Sequence, residues 1–394
     1  MADHDYTKFA DATIATHAGR NPNDNFGVVN PPIYHASTIV FPNFAEFKAA
    51  SEGKAKRPSY GRHGTEPHRN LEDALAQLEG ADKCLLTSSG VQAISTVLLA
   101  LLEPGDELLM VDSAYSPTRD FCDQELKRYG IVTRYYDPLI AGGIANQISE
   151  KTKVVFVESP GSLTFEVQDV PAIAKAAHAK GAVVVMDNTW ASPLYFKAFE
   201  HGVDVSIHSA TKHIGGHSDL LMGVINCTAA VYPRIKRVYK NLGNCPGADD
   251  VYLAQRGLRT LSARIKAQGE AGLKIANWLK AQPQVAKVLH PQLPDCPGHE
   301  LFKRDFLGGC GVFSFVLKKN LSDAELSKFF DGMELIKLGY SWGGYESLAI
   351  FFDPAKVRTA TKWSETGSAV RLSIGLENAD DLIGDLCAAL KRVS

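Results

Sequence analysis

Between residues 63 and 256 the hydrophobic pattern changes period again and again. Pro67 to Leu78 places apolar residues three and four apart and predicts an amphipathic helix. Gly90 to Leu102 predicts a second helix, opened by Ser88 and Ser89. Short runs that are apolar throughout, Glu107–Val111, Lys153–Val157 and Ala182–Met186, read as strands buried on both faces. A helix over Val170 to Lys180 separates the last two. Such alternation predicts an α/β unit with a mainly parallel sheet covered by helices. Ligands of these sheets gather at the carboxyl ends of the strands, where Glu158, Asp187 and Ser209 stand.

On either side of this unit the pattern differs. Residues 1 to about 60 are rich in Asn, Pro and Thr and show little helical period, so 1–62 is expected to be an irregular arm. From 257 to 394, helical stretches (Leu258 to Leu279, Ala324 to Phe330) precede the strands Val312–Val316 and Val370–Ile374, which predicts a smaller α+β domain. A chain of 394 residues has room for such a division. Its formal charge of −2, with acids and bases interspersed, argues against nucleic acid or a membrane surface as partner. The first residues have neither a basic stretch nor an apolar one, so no signal peptide is expected, and the uncharged run Thr87 to Leu102 is too short and polar to span a bilayer. Seven scattered cysteines without a C-x-x-C pair fit free thiols in a reducing cytoplasm.

The chemistry is concentrated in Asp204-Val-Ser-Ile-His-Ser-Ala-Thr-Lys-His-Ile-Gly-Gly. A short strand delivers the hydroxyls of Ser209 and Thr211 and the amine of Lys212. Upstream, Ala182–Met186 ends on Asp187. These are the parts needed to hold pyridoxal phosphate: an amine for the aldehyde, hydroxyls for the phosphate, and a carboxylate that keeps the pyridine nitrogen protonated. Ser89, Gly90 and Val91 open a helix whose first amides suit an anion, although two serines there also serve as an ordinary N-cap. Arg371 lies between apolar neighbours on a strand and needs a partner, such as the acid of a structural salt bridge. His213, His217, His290 and His299 match no zinc spacing and are read as structural; no metal is expected.

From about Thr16 to about Ala388 the chain resembles the pyridoxal-phosphate enzymes of cysteine and methionine metabolism, which include cystathionine β- and γ-lyases, cystathionine γ-synthase and methionine γ-lyase. The resemblance rests on Tyr60-Gly-Arg62, Ser88-Ser-Gly90, Asp112-Ser-Ala-Tyr115, Glu158-Ser-Pro160, Asp187-Asn-Thr189, Ser209-Ala-Thr-Lys212, His290-Pro291, Pro297-Gly-His299, Ser341-Trp-Gly-Gly-Tyr-Glu-Ser347 and Arg371-Leu-Ser-Ile-Gly-Leu-Glu377. It implies a fold-type I, transferase-like α/β architecture. It also implies a homotetramer built from two tight dimers, with Tyr60 and Arg62 completing the phosphate site of a neighbouring subunit. Tyr115 is implied to stack on the cofactor ring, and Arg371 to hold the substrate carboxylate. Tyr340, Ser341 and Trp342 form the stretch that separates subfamilies; the aromatic pair resembles the β-lyase pattern, where γ-acting members carry Leu and often Glu.

The expected activity is therefore carbon–sulfur lysis of an amino-acid substrate, α,β-elimination of L-cystathionine, with other cysteine conjugates as further candidates. A γ-lyase or γ-synthase is the rival within enzymes, and Tyr340 and Trp342 weigh against it. A cofactor-binding regulator without activity is the rival outside catalysis; the intact Lys212, Asp187 and Arg371 weigh against that.

Overall fold

The computed structural model describes residues 5–54 and 57–393. Two sheets organise it. The larger has seven strands: β1 (Lys83–Thr87), β2 (Glu107–Val111), β3 (Val132–Tyr136), β4 (Thr152–Glu158), β5 (Val183–Asp187), β6 (Val205–Ser209) and β7 (Gly223–Cys227). Their spatial order is β1-β7-β6-β5-β4-β2-β3. β3, β2, β4, β5 and β6 run parallel, and β7 is antiparallel to both β6 and β1. Met110, Val155, Phe156, Val184, Val185 and Ile207 are all fully buried, as a sheet covered on both faces requires. The expected mainly parallel α/β unit is present.

The smaller sheet has five strands: β8 (Val285–Leu289), β9 (Val312–Leu317), β10 (Lys337–Leu338), β11 (Leu348–Phe352) and β12 (Ala369–Ser373), in the order β10-β11-β12-β9-β8. It has its own core, in which Phe313, Phe315, Leu372, Leu382 and Leu386 pack together. The helices over Glu66–Glu79, Gly90–Leu101, Val170–His178 and Asp323–Phe330 fall where the periodicity places them.

Two expectations need correction. The helix expected over Leu258 to Leu279 is present but starts later, at Leu261, and runs to Lys280, because a separate helix ends at Leu258. Gly257 packs directly on the backbone of Ile214 and Gly215, so close that a Cβ there would lie 2.3 Å from their carbonyl oxygens. The arm also carries more helix than its composition suggests, at Asp11–His17 and Phe44–Ser51. The first is held by burial of Ile14 and Ala15. The second is capped by Asn43, whose side chain accepts from the Glu46 amide at 2.9 Å. Between and within them, Phe26, Val28, Val29, Val40, Phe44 and Phe47 are exposed. Among the described residues no helix is long and apolar enough to cross a membrane, and no cluster of His, Cys, Asp or Glu suits a metal ion.

Candidate active site

Three parallel strands end side by side on the three polar residues the sequence singles out. β4 ends at Glu158, β5 at Asp187 and β6 at Ser209, with Glu158 directly opposite Asp187 in the register. The turn after β6 brings Lys212 over this edge, its amide bonded to the Ser209 carbonyl at 3.0 Å. A cavity of about 400 Å3 opens here. Tyr115, Glu158, Trp190, Lys212, Trp342 and Arg371 face it, with Ile350 to Phe352 of β11 closing one side.

Lys212 Nζ donates to Ser341 Oγ at 2.5 Å and lies 5.5 Å from the Trp342 ring centre. Ser341 has a left-handed backbone (φ 75°), uncommon outside glycine. That conformation presents its hydroxyl to Lys212 and its carbonyl to Arg371 Nη2, at 2.8 Å. Gly343 is also left-handed, and a Cβ there would approach the His213 ring nitrogen to 3.0 Å. His213 in turn packs against Trp342, with ring centres 5.2 Å apart and the planes tilted by 59°.

The charges follow from this packing. Burial, and then the nearby Arg371 cation, lower the Lys212 amine to about 8, with Asp187 opposing. Asp187 is raised by burial, although the Thr189 hydroxyl and amide donate to its carboxylate at 2.5 and 3.0 Å. Glu158 is pushed well up by burial and by the charge of Asp187; it accepts the Tyr115 amide at 2.8 Å. Burial lowers His213 to about 3, with Arg264 and Lys212 adding to it.

Arg371 is the most telling group. It is 5 % exposed, and burial lowers it to about 10. Its Nε atom is buried without a hydrogen-bond partner, and among the described residues no carboxylate lies within ion-pair distance. The structural-acid reading of this arginine therefore finds no acid. A buried cation open to a cavity is built for an anion that arrives with a ligand.

The anion-binding parts are close by. Ser89 caps the helix Gly90–Leu101 and accepts from the Gln92 amide at 3.1 Å. The amides of Gly90 and Val91, first in that helix, have no preceding turn to bond. A Cβ at Gly90 would lie 2.9 Å from the Ser209 side chain, so only glycine lets this helix start meet the β6 turn. Thr211 Oγ1 accepts from the Met222 amide at 3.1 Å, which orients it on the same turn. These features fit pyridoxal phosphate: helix amides and Ser209 for the phosphate, and for the aldehyde a lysine whose lowered pKa brings its neutral form within reach. They also supply paired acids whose mutual repulsion a protonated ring nitrogen relieves.

The structure does not bring all the expected residues together. Tyr60 and Arg62 stand apart from the Lys212 cavity. Arg62 borders a different groove and donates to the Lys240 carbonyl at 3.0 Å. Tyr340 is 91 % exposed at the cavity mouth. Trp190, Phe165 and the β11 face line the cavity without having been picked out in the sequence, where they look like any apolar strand or loop residue. Three of the four histidines take local roles: Nδ1 of His217 and of His299 bond to backbone carbonyls, and His290 Nδ1 accepts from Gln292.

Comparison with known proteins agrees with this geometry. The sequence model of one family, described as "Cys/Met metabolism PLP-dependent enzyme", matches residues 12–391. Cystathionine beta-lyase MetC of Escherichia coli K12 is 43% identical over 97% of this chain and 98% of its own length. Cystathionine beta-lyase of Salmonella typhimurium LT2 is 44% identical over the same shares. The crystal structure of a cystathionine gamma synthase from Xanthomonas oryzae pv. oryzae, in complex with aminoacrylate and cysteine, superposes with a TM-score of 0.88 at 32% identity, covering 98% of each chain.

Proposed function

This chain belongs to the pyridoxal-phosphate-dependent enzymes of Cys/Met metabolism, and we propose that it catalyses α,β-elimination of L-cystathionine. Water and L-cystathionine give homocysteine, pyruvate and ammonia, a step of methionine biosynthesis. The observation that carries the reading is the buried Arg371, with no acid partner among the described residues and its Nε unbonded, at the same cavity as Lys212 and Trp342. Other cysteine thioethers are secondary substrates.

When bound, the cofactor supplies a sink for the electrons released at Cα. Arg371 grips the substrate α-carboxylate with its guanidinium fork and so fixes the Cα–H bond relative to Lys212. Lys212 Nζ, neutral in part because its pKa lies near 8, takes the Cα proton. The same nitrogen then gives that proton to the departing sulfur. Asp187 would keep the cofactor's ring nitrogen protonated, Tyr115 would contact the ring, and Ser89, Gly90, Val91, Ser209 and Thr211 would hold the phosphate. Trp342 walls the pocket and Tyr340 stands at its mouth, and this aromatic pair favours cleavage at Cβ. Elimination at Cγ needs a second deprotonation, at Cβ, by a base placed for it.

We place residues 1–62 as an arm, 63–256 as the cofactor-binding domain and 257–394 as the small domain, in a cytoplasmic homotetramer with shared sites. Two facts support the sharing: Tyr60 and Arg62 do not reach their own chain's Lys212 cavity, and the arm leaves Phe26, Val40, Phe44 and Phe47 uncovered. The test is product analysis with L-cystathionine. Pyruvate with homocysteine supports the proposal; 2-oxobutyrate with cysteine refutes it in favour of a γ-lyase.

A further inference from the structure

Asp112 follows the last residue of β2 and is almost fully buried at 1 % exposure. Its carboxylate does not serve its own domain alone. It accepts from the amides of Thr359, Ala360 and Thr361 at 2.9, 3.0 and 2.8 Å, and from the hydroxyls of Thr359 and Thr361 at 2.9 and 2.8 Å. Those five donors belong to the segment joining β11 to β12 in the small domain. A sixth bond comes from Arg119 Nη1 at 3.1 Å, and Arg119 Nη2 also reaches Thr359 Oγ1 at 3.0 Å. Three consecutive amides converging on one carboxylate form an anion nest, and each bond to a charged acceptor is stronger than a neutral one.

The same segment is tied a second time. Arg358 Nη2 donates to Glu166 and to Thr164, both at 2.5 Å, and Arg358 is itself buried. What the two ties connect matters for the chemistry. Asp112 is three residues from Tyr115, and Glu166 adjoins Phe165; both lie on the large-domain wall of the cavity. The fastened segment leads on one side to Ile350, Phe351 and Phe352, and on the other to β12 with Arg371. Arg371 binds from the small domain, while Lys212 acts from the large one. Their separation is set by how the two domains are pinned together.

We propose that Asp112 is a positioning residue: its bonds to residues 359–361 latch the small domain to the large one and hold Arg371 at the distance from Lys212 that the substrate requires. The proposal rests on the assignment of Arg371 to the substrate carboxylate. Asp112 touches neither substrate nor cofactor. Replacing it by Asn keeps the volume but turns an amide group towards donors, which opens the latch and leaves the phosphate and ring contacts in place.

The experiment measures kcat, KM for L-cystathionine and the absorbance of bound pyridoxal phosphate in the holoenzyme. Four variants are compared: Asp112→Asn, Thr361→Val, Thr361→Ser and Arg371→Lys. A displacement of about 1 Å costs up to about 100-fold in a positioned reaction. Asp112→Asn is thus expected to raise KM and lower kcat together, so that kcat/KM falls by about tenfold or more, with the bound-cofactor absorbance unchanged. Thr361→Val raises KM less, and Thr361→Ser restores it because the hydroxyl returns; this pair carries the test if Asp112→Asn does not fold. Unchanged KM in both Asp112→Asn and Thr361→Val, beside a raised KM in Arg371→Lys, overturns the latch alone. A parallel fall of kcat and of bound cofactor also overturns it. Unchanged KM in Arg371→Lys overturns the carboxylate assignment and the latch with it.

Discussion

The lowered amine of Lys212 makes a prediction about the enzyme stripped of its cofactor. Withdrawal from water and the Arg371 cation bring Lys212 to about 8, against an ordinary lysine value of 10.5. At pH 7 a group at 8 is neutral in about a tenth of molecules, while an ordinary lysine is neutral in about three in ten thousand. Only the neutral amine attacks the aldehyde, so Lys212 should capture pyridoxal phosphate about 300-fold faster at pH 7 than an exposed lysine of equal accessibility. The sign is fixed: deprotonation rises with pH, so the capture rate climbs about tenfold per pH unit below 8 and flattens above it. The assay mixes apoenzyme with pyridoxal phosphate from pH 6 to 10 and follows the absorbance change. Borohydride quenching and mass mapping verify the modified lysine, and an Nα-acetyl-lysine amide control corrects for ionisation of the reagent itself. Arg371→Met removes the like charge and should move the plateau to higher pH. A corrected rate that keeps climbing tenfold per unit past pH 9, or an adduct on another lysine, would refute the reasoning.

Three further outcomes are expected. Glu79 is buried and accepts from His208 at 2.9 Å, Ser206 at 2.6 Å, Asn226 at 2.6 Å and Asn188 at 2.9 Å. Burial raises its carboxyl, but His208 and the hydrogen bonds outweigh that and hold it at about 2. Its stabilising contribution is thus complete above the ordinary value of 4.5 and is lost as the pH falls towards 2. Glu79→Gln should cost about 3 kcal/mol in chemical denaturation at pH 7, and a loss below about 0.5 kcal/mol would contradict this. Mixing Arg62→Ala with Lys212→Ala chains should recover about a quarter of full activity, because half of randomly formed dimers carry one intact site; no recovery after verified subunit exchange would assign the arm to its own chain. Trp342→Leu combined with Tyr340→Glu should lower pyruvate formation from cystathionine without a full switch to 2-oxobutyrate, measured by product ratio, and an unchanged ratio and rate would remove these aromatics from the specificity argument.

The parts of this site legible in the sequence are those that depend on local order. A strand that is apolar throughout and stops on Asp187, or runs into Ser209 and Lys212, announces both its burial and the edge where its ligand sits, because parallel strands put their chemistry at their carboxyl ends. What stayed hidden depends on distance along the chain. Position 257, inside the helix that ends at Leu258, must be glycine because the backbone of Ile214 and Gly215 passes against it, a neighbour more than forty positions away that no local window contains. The expected arm of irregular chain holds two helices because one is buried on its own core and the other is capped by Asn43. Asp112 was visible within its motif only as a polar residue before Tyr115. Apart from Arg119, its partners lie 247 to 249 positions later, so most of its bonds appear only in the tertiary fold. The identities that can be read early are therefore those of groups that meet the cofactor and substrate. The groups that decide how far apart those stand, Asp112 and Arg358 among them, are set by tertiary contact, and there the geometry carries information that the order of residues does not.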